Sequence, residues 1–166
     1  MVLILLACIG HHAPEMAEAG ATLRLVSVVD SVANADVAAG PAALDLALAK
    51  QLSLRGIAVG PFDTSTALKS FSDHRDTRAR LNSLPDPQSP TLLVETVPSY
   101  YSEMNGKYRW TVHVVVSISP SEYSKDFDVP VFLQFYHERE DAAVASATPV
   151  IAQHTAQLLD AWLAAP

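Results

Sequence analysis

Between Thr91 and Ser119 the chain reads TLLVETVPSYYSEMNGKYRWTVHVVVSIS, and the Asn105-Gly106 dipeptide at its centre constrains the fold more than any other feature. A two-residue type I′ turn needs positive φ at both central positions, which Asn and Gly tolerate best. The flanking runs are rich in β-branched and aromatic residues, so the segment reads as a long β-hairpin. Setting Met104 opposite Lys107 predicts the pairs Tyr101–Trp110, Ser99–Val112, Val97–Val114, Glu95–Val116 and Leu93–Ile118. One face then carries Leu93, Val97, Tyr101, Trp110, Val112, Val114, Val116 and Ile118, nearly all apolar. The other carries Val94, Thr96, Tyr100, Arg109, Thr111, His113, Val115 and Ser117. A helix layer is expected over the apolar face. Glu95 interrupts that face, and Pro98 marks a bulge that would shift the register beyond it.

The rest of the chain supplies that layer. Thr22–Asp30 (TLRLVSVVD) reads as a strand, and SVANADVAAG after it as a loop. Pro41 suits a first helical turn, where its missing N–H costs nothing, and Leu44, Leu48 and Leu52 recur on one side together with Ala47. Gly56 stops this helix, predicted over 41–55. Ile57–Val59 is a short strand. Residues 64–84 form one polar surface helix or two short ones, and the Pro-rich 85–90 is a rigid connector. Val129–His137 is a further strand, with Pro130 pointing to an edge. The segment 141–164 is helical, with a stripe of Val144, Ala147, Ile151, Thr155, Leu158, Leu159 and Trp162. Pro149 either kinks this helix or starts it, with Thr148 as cap. The order β-α-β-(α)-β-β-β-α predicts an α+β fold: a single, mostly antiparallel sheet with helices packed on one face.

Composition limits the function. The 166 residues are 49% hydrophobic and 17% charged, a globular balance long enough for one domain with a real core. A net charge of −7 without Lys/Arg clusters argues against nucleic acid, whose phosphates need cationic patches. Catalytic signatures are missing. Thr66-Ala67-Leu68-Lys69 has the spacing of a Ser-x-x-Lys nucleophile with Thr in place of Ser, but without its companion motifs it reads as a helix start. Asp30, with Asn34 and Asp36 following, could line a crevice at the carboxyl end of the sheet. The stretch DSVANAD matches neither a calcium loop nor a phosphate cradle, and reads as a turn. His113 and His137 could meet across strands, yet show no metal-binding spacing and read as hydrogen-bonded structural residues. No cofactor and no metal is expected. A small enzyme, or a ligand- or metal-binding domain, using Asp30, His113 or His137 is the alternative.

Two stretches suit a partner. FSDHRDTRARLNS (71–83) interleaves charges of both signs, and Arg75 and Arg78, with Arg80, are candidate handles on a docking surface. Around the hairpin tip, Tyr100, Tyr101, Tyr108 and Trp110 are residue types enriched in interface hot spots, and Tyr100 and Tyr108 are candidate contacts. These side chains are equally at home as cross-strand pairs.

The chain opens MVLILLAC and then turns polar, with IGHHAPEMAEAG. Leu5-Leu6-Ala7-Cys8 resembles the lipobox of bacterial lipoproteins, a family in which the leader is removed before the cysteine and its sulfur is acylated. The resemblance implies that Cys8 is a lipidation site, that 1–21 is a truncated signal with lipobox and flexible tether, and that 22–166 is a single α+β domain. His11 and His12 are then solvated tether residues. In architecture such a domain resembles small domains of envelope assembly and export lipoproteins, such as the curli-export and lipopolysaccharide-assembly families. The expected function is that of a non-enzymatic lipoprotein of the bacterial envelope. It would be held to the membrane through its lipid alone, facing the periplasm or cell surface, and would bind another envelope protein or form part of an assembly.

Overall fold

The computed structural model describes residues 22–31, 36–60, 64–71, 76–86, 89–134 and 139–164. Cys8 and the tether, Arg75 and His137 lie outside them.

The elements are β1 (Leu23–Ser31), β2 (Asp36–Ala39), α1 (Ala42–Ser53), β3 (Val59–Gly60), α2 (Thr64–Phe71), α3 (Thr77–Ser83), β4 (Thr91–Met104), β5 (Lys107–Ser119), β6 (Ser124–Leu133) and α4 (Glu140–Leu163). The sheet runs β2-β1-β4-β5-β6, with β3 added beside β1. β4–β5, β5–β6 and β1–β2 are antiparallel, whereas β1 pairs in parallel with β4 and β3. This is the expected α+β class, a mostly antiparallel sheet carrying helices. The stretch expected to be a loop after β1 departs from that reading, because its second half folds back as β2, with Ser31 opposite Asp36 and Val28 opposite Ala39.

Most of the apolar surface is buried on one face. Leu44, Leu48 and Leu52 of α1 and Val144, Ala147, Ile151 and Leu159 of α4 pack on Leu23, Leu25, Leu92, Val94, Val112, Val114, Val116 and Ile118. Each large aliphatic side chain so buried contributes about 1.5–3 kcal/mol. Gly56, at φ +75°, follows α1 in the left-handed conformation that ends helices. The guanidinium of Arg55, just before Gly56, donates to both carboxylate oxygens of Asp160 on α4, at 3.0 and 2.8 Å. α4 continues unbroken through Pro149, which lies on its exposed side, while the Thr148 hydroxyl donates to the Val144 carbonyl. A second, smaller cluster (Val26, Val28, Phe71, Leu81, Leu84 and Leu93) lies on the opposite face, under α2 and α3. The connector after α3 is pinned by Arg24, which donates to the Pro85, Asp86 and Ser89 carbonyls and to the Thr91 hydroxyl.

The hairpin carries the main correction. Asn105 and Gly106 do form the turn, at φ 55° and 72°, and Met104 does face Lys107. The register then slips: Ser102 faces Arg109, Tyr100 faces Trp110, and Tyr101 between them has no opposite number. The extra residue is at Tyr101 rather than Pro98. Because side chains alternate, one unpaired residue turns every earlier position of β4 to the other face. Leu92 and Val94 join the large core, while Leu93, Glu95 and Val97 face away from it. The predicted register would have left the Glu95 carboxylate among Val112, Val114 and Val116 with no counter-charge. The observed one delivers it to Arg80.

Candidate functional site: the open face of the hairpin

On the face away from α1 and α4, the sheet has two contrasting ends. At its root, α3 lies over it. Asp76 caps α3 by accepting from the Ala79 N–H at 2.9 Å. One turn on, Arg80 donates to Glu95 Oε1 at 2.6 Å and to Asp30 Oδ2 at 2.8 Å, while the Thr77 hydroxyl donates to the other Glu95 oxygen. The Arg80 and Glu95 side chains are each only 4% exposed. Burial pulls the Arg80 pKa down, but its hydrogen bonds to Glu95 and Asp30 and their charges outweigh this, so the net direction is upward and the guanidinium stays charged. Beside this lock, a cleft of about 330 Å³ is lined by Asp76, Thr77, Arg78, Ser117, Glu122 and Ser124, among others. Arg78 spans it, donating to the Ser121 carbonyl at 3.1 Å and pairing with Glu122 at 3.1 Å. Arg78 is thus engaged within the fold.

Towards the tip, beyond α3, the same face lies open. Arg109 on β5 sits opposite Ser102 on β4 and Phe132 on β6. Its guanidinium carbon lies 5.4 Å from the Tyr101 ring centre and 5.8 Å from that of Phe132, and one N–H reaches the Met104 sulfur at 3.6 Å. Such ring–cation contacts hold the fork in place and leave its other donors for a carboxylate. Among the described residues Arg109 meets no carboxylate, whereas Arg55, Arg78 and Arg80 each do. Tyr101 is 71% exposed, Phe132 54% and Met104 53%. The bulge is what brings Tyr101 here.

The predicted contacts Tyr100 and Tyr108 share the opposite face. Tyr100 stacks edge-on against Trp110 at 5.7 Å and lies 6.5 Å from Tyr108; Tyr108 and Trp110 pack on the large core, while Tyr100 stays exposed. Of the alternative set, Asp30 is held by Arg80, and His113 Nδ1 lies 2.8 Å from Asp128 Oδ1. Val97, opposite His113, stands between the two on β4. Among the described residues no group of three or more His, Cys, Asp or Glu is arranged to hold a metal, and no helix is long and apolar enough to cross a membrane.

Sequence reasoning missed Arg109 and Phe132 as a unit. Phe132 carries a readable signal. In VPVFL, Val129, Val131 and Leu133 are the inward set, so an aromatic at 132 stands out on the wet side of an alternating strand.

No protein-family model matches this chain, and no curated protein matches it. A solved structure of an uncharacterized protein is similar at 12% identity over 84% of this chain and 89% of the other, with a TM-score of 0.37.

Proposed function

We propose that this protein is a non-enzymatic lipoprotein of the bacterial envelope, tethered through Cys8, whose α+β domain works by protein–protein contact. What supports the contact role is the exposed tip of the hairpin: two exposed rings and a methionine around an arginine with spare donors, beyond the part of the sheet face that α3 covers. Aromatic residues and Arg are the types that dominate interface energetics. The partner is an envelope protein or a fellow subunit of an envelope assembly, and the tether holds the domain beside it. The Leu5-Leu6-Ala7-Cys8 motif supports the anchor.

Two measurements test this. Cys8→Ser should move the chain from the membrane fraction to the soluble one; unchanged sedimentation with membranes defeats the anchor. Tyr101→Ser with Phe132→Ser should shrink the detergent-extracted complex on a native gel without changing the amount of protein. Unchanged migration defeats the docking role.

A further inference from the structure

The open face is graded in charge. At the tip it bears Lys107 and Arg109. Two residues further along β5 comes the row Ser99–Thr111–Pro130, then Val97–His113–Asp128, then Glu95–Val115–Asp126, whose Glu95 end is buried under α3 and neutralised by Arg80. Asp126 and Asp128 are exposed, and Asp128 keeps 64% of its side chain in water despite His113. At about 3.4 Å per residue the arginine and the first aspartate row stand about 14 Å apart, and the second row about 20 Å. Between the arginine and the first aspartate row lie Ser99, Thr111 and Pro130, uncharged and partly apolar. At the root, α3 forms a shoulder.

Such a face is complementary to itself. Turned by a two-fold axis through the Thr111 row, its cationic end falls on the acidic end of an identical face, twice over, with the uncharged strip on the axis. From this we infer that the open face docks a second copy of the chain, sheet against sheet, with Arg109 and Lys107 of each copy set against Asp126 and Asp128 of the other. The inference deepens the contact role proposed above by naming the partner, and rests on that role. Isologous pairing of this kind closes on itself after two copies. Facing sheets stand about 10 Å apart, enough for the Tyr101 and Phe132 rings to be enclosed. Charge also selects the geometry. Each copy carries −7 overall, so copies meeting at random repel; the two-fold arrangement sets opposite charges together at both ends. An anionic bilayer would instead meet the two aspartates on the same face.

The experiment uses the full chain in sedimentation equilibrium. The wild type should dimerise with a Kd in the micromolar range, more weakly as salt is added, because rim charges are screened over about 10 Å at 0.1 M. K107E/R109E and D126K/D128K should each lose about tenfold or more in self-association, while a one-to-one mixture of the two should recover a dimer, since each then offers what the other lacks. A monomeric wild type overturns the inference, as do swapped variants that still dimerise alone, or a mixture that stays monomeric. Should a charge-swapped chain fail to fold, Thr111→Cys in a Cys8→Ser background replaces it. A short bismaleimide should couple that thiol to its twin on the axis and leave Ser146→Cys on α4 uncoupled; equal coupling of both, or of neither, overturns the inference. None of these readouts involves the lipid. Failure of the Cys8→Ser fractionation therefore removes the anchor alone, and failure here removes the two-fold partner alone.

Discussion

Arg80 and Arg109 lie over the same face of one sheet and behave oppositely. Arg80 is enclosed under α3 with two carboxylates, and the second oxygen of its buried partner is taken by Thr77. Both oxygens of the buried Glu95 carboxylate are thus met from within the chain. Arg109 is held in place by rings and a sulfur, and among the described residues no carboxylate answers its charge. A buried ion pair sets conformation, since its desolvation offsets much of its attraction. A cation held at the surface by aromatic faces is pre-organised for something outside. Which role an arginine takes here depends on how far α3 reaches along the hairpin.

The comparison breaks first at Arg80. Arg80→Ala leaves the Glu95 carboxylate buried without its counter-charge, and should lower unfolding free energy in urea by about 3–5 kcal/mol. Replacing both partners, as Arg80→Met with Glu95→Leu, should recover most of that loss. A single-variant loss below about 1 kcal/mol would place Arg80 among ordinary surface charges.

At the tip the effects should be smaller. Gly106→Ala forces a Cβ into φ +72° and should cost about 1–2 kcal/mol in the same assay. A cost as large as that at Arg80 would mean the tip, too, is part of the structural lock.

Asp45 sharpens the contrast from the other face, as a carboxylate held by a hydroxyl rather than a guanidinium. Ser27 donates to it, but burial outweighs that bond and raises its pKa above the ordinary 3.8. A carboxyl so raised takes up a proton on folding. It therefore detracts from stability at neutral pH, and the penalty is relieved as pH falls through its folded value towards 3.8. Relative to Asp45→Asn, the wild type should gain stability over that descent and level off below it, in paired urea titrations. A gap that widens against the wild type on acidification would reverse the assignment.

The smallest change belongs to Arg109 itself. Arg109→Gln should alter stability by less than about 0.5 kcal/mol, as expected for an exposed position outside any buried network. A larger loss would make it a structural residue after all.

Most of the scaffold was legible because its signals are local. Leu44, Leu48 and Leu52 declare α1, Asn105-Gly106 declares the turn, and the apolar stripe from Val144 to Leu159 declares α4. The site was less so. Nothing in Tyr-Tyr-Ser marks Tyr101 as the unpaired residue, because a bulge is decided by which register leaves fewer groups stranded across the whole ladder. Glu95 was the clue, standing out of pattern in a register that buried it without a counter-charge. Its cation comes from a helix 15 residues away in sequence, and the pairing exists only once α3 has docked. β2 was missed because Asp-Val-Ala-Ala carries little β-propensity of its own and borrows its partner from β1.

The single residue at Tyr101 acts as a parity bit for the hairpin. Every position between it and the turn keeps its inward or outward sense whatever happens upstream, while everything before it is inverted as a block. Deleting that one residue and re-zipping from the root would leave the buried half intact and turn the tip over; re-zipping from the turn would expose Leu92 and Val94 and bury a carboxylate. Because Leu92, Val94 and Glu95 hold the root in place, a length change at this spot would be read out only at the tip, where the chain can be re-tooled for a different neighbour without rebuilding its interior.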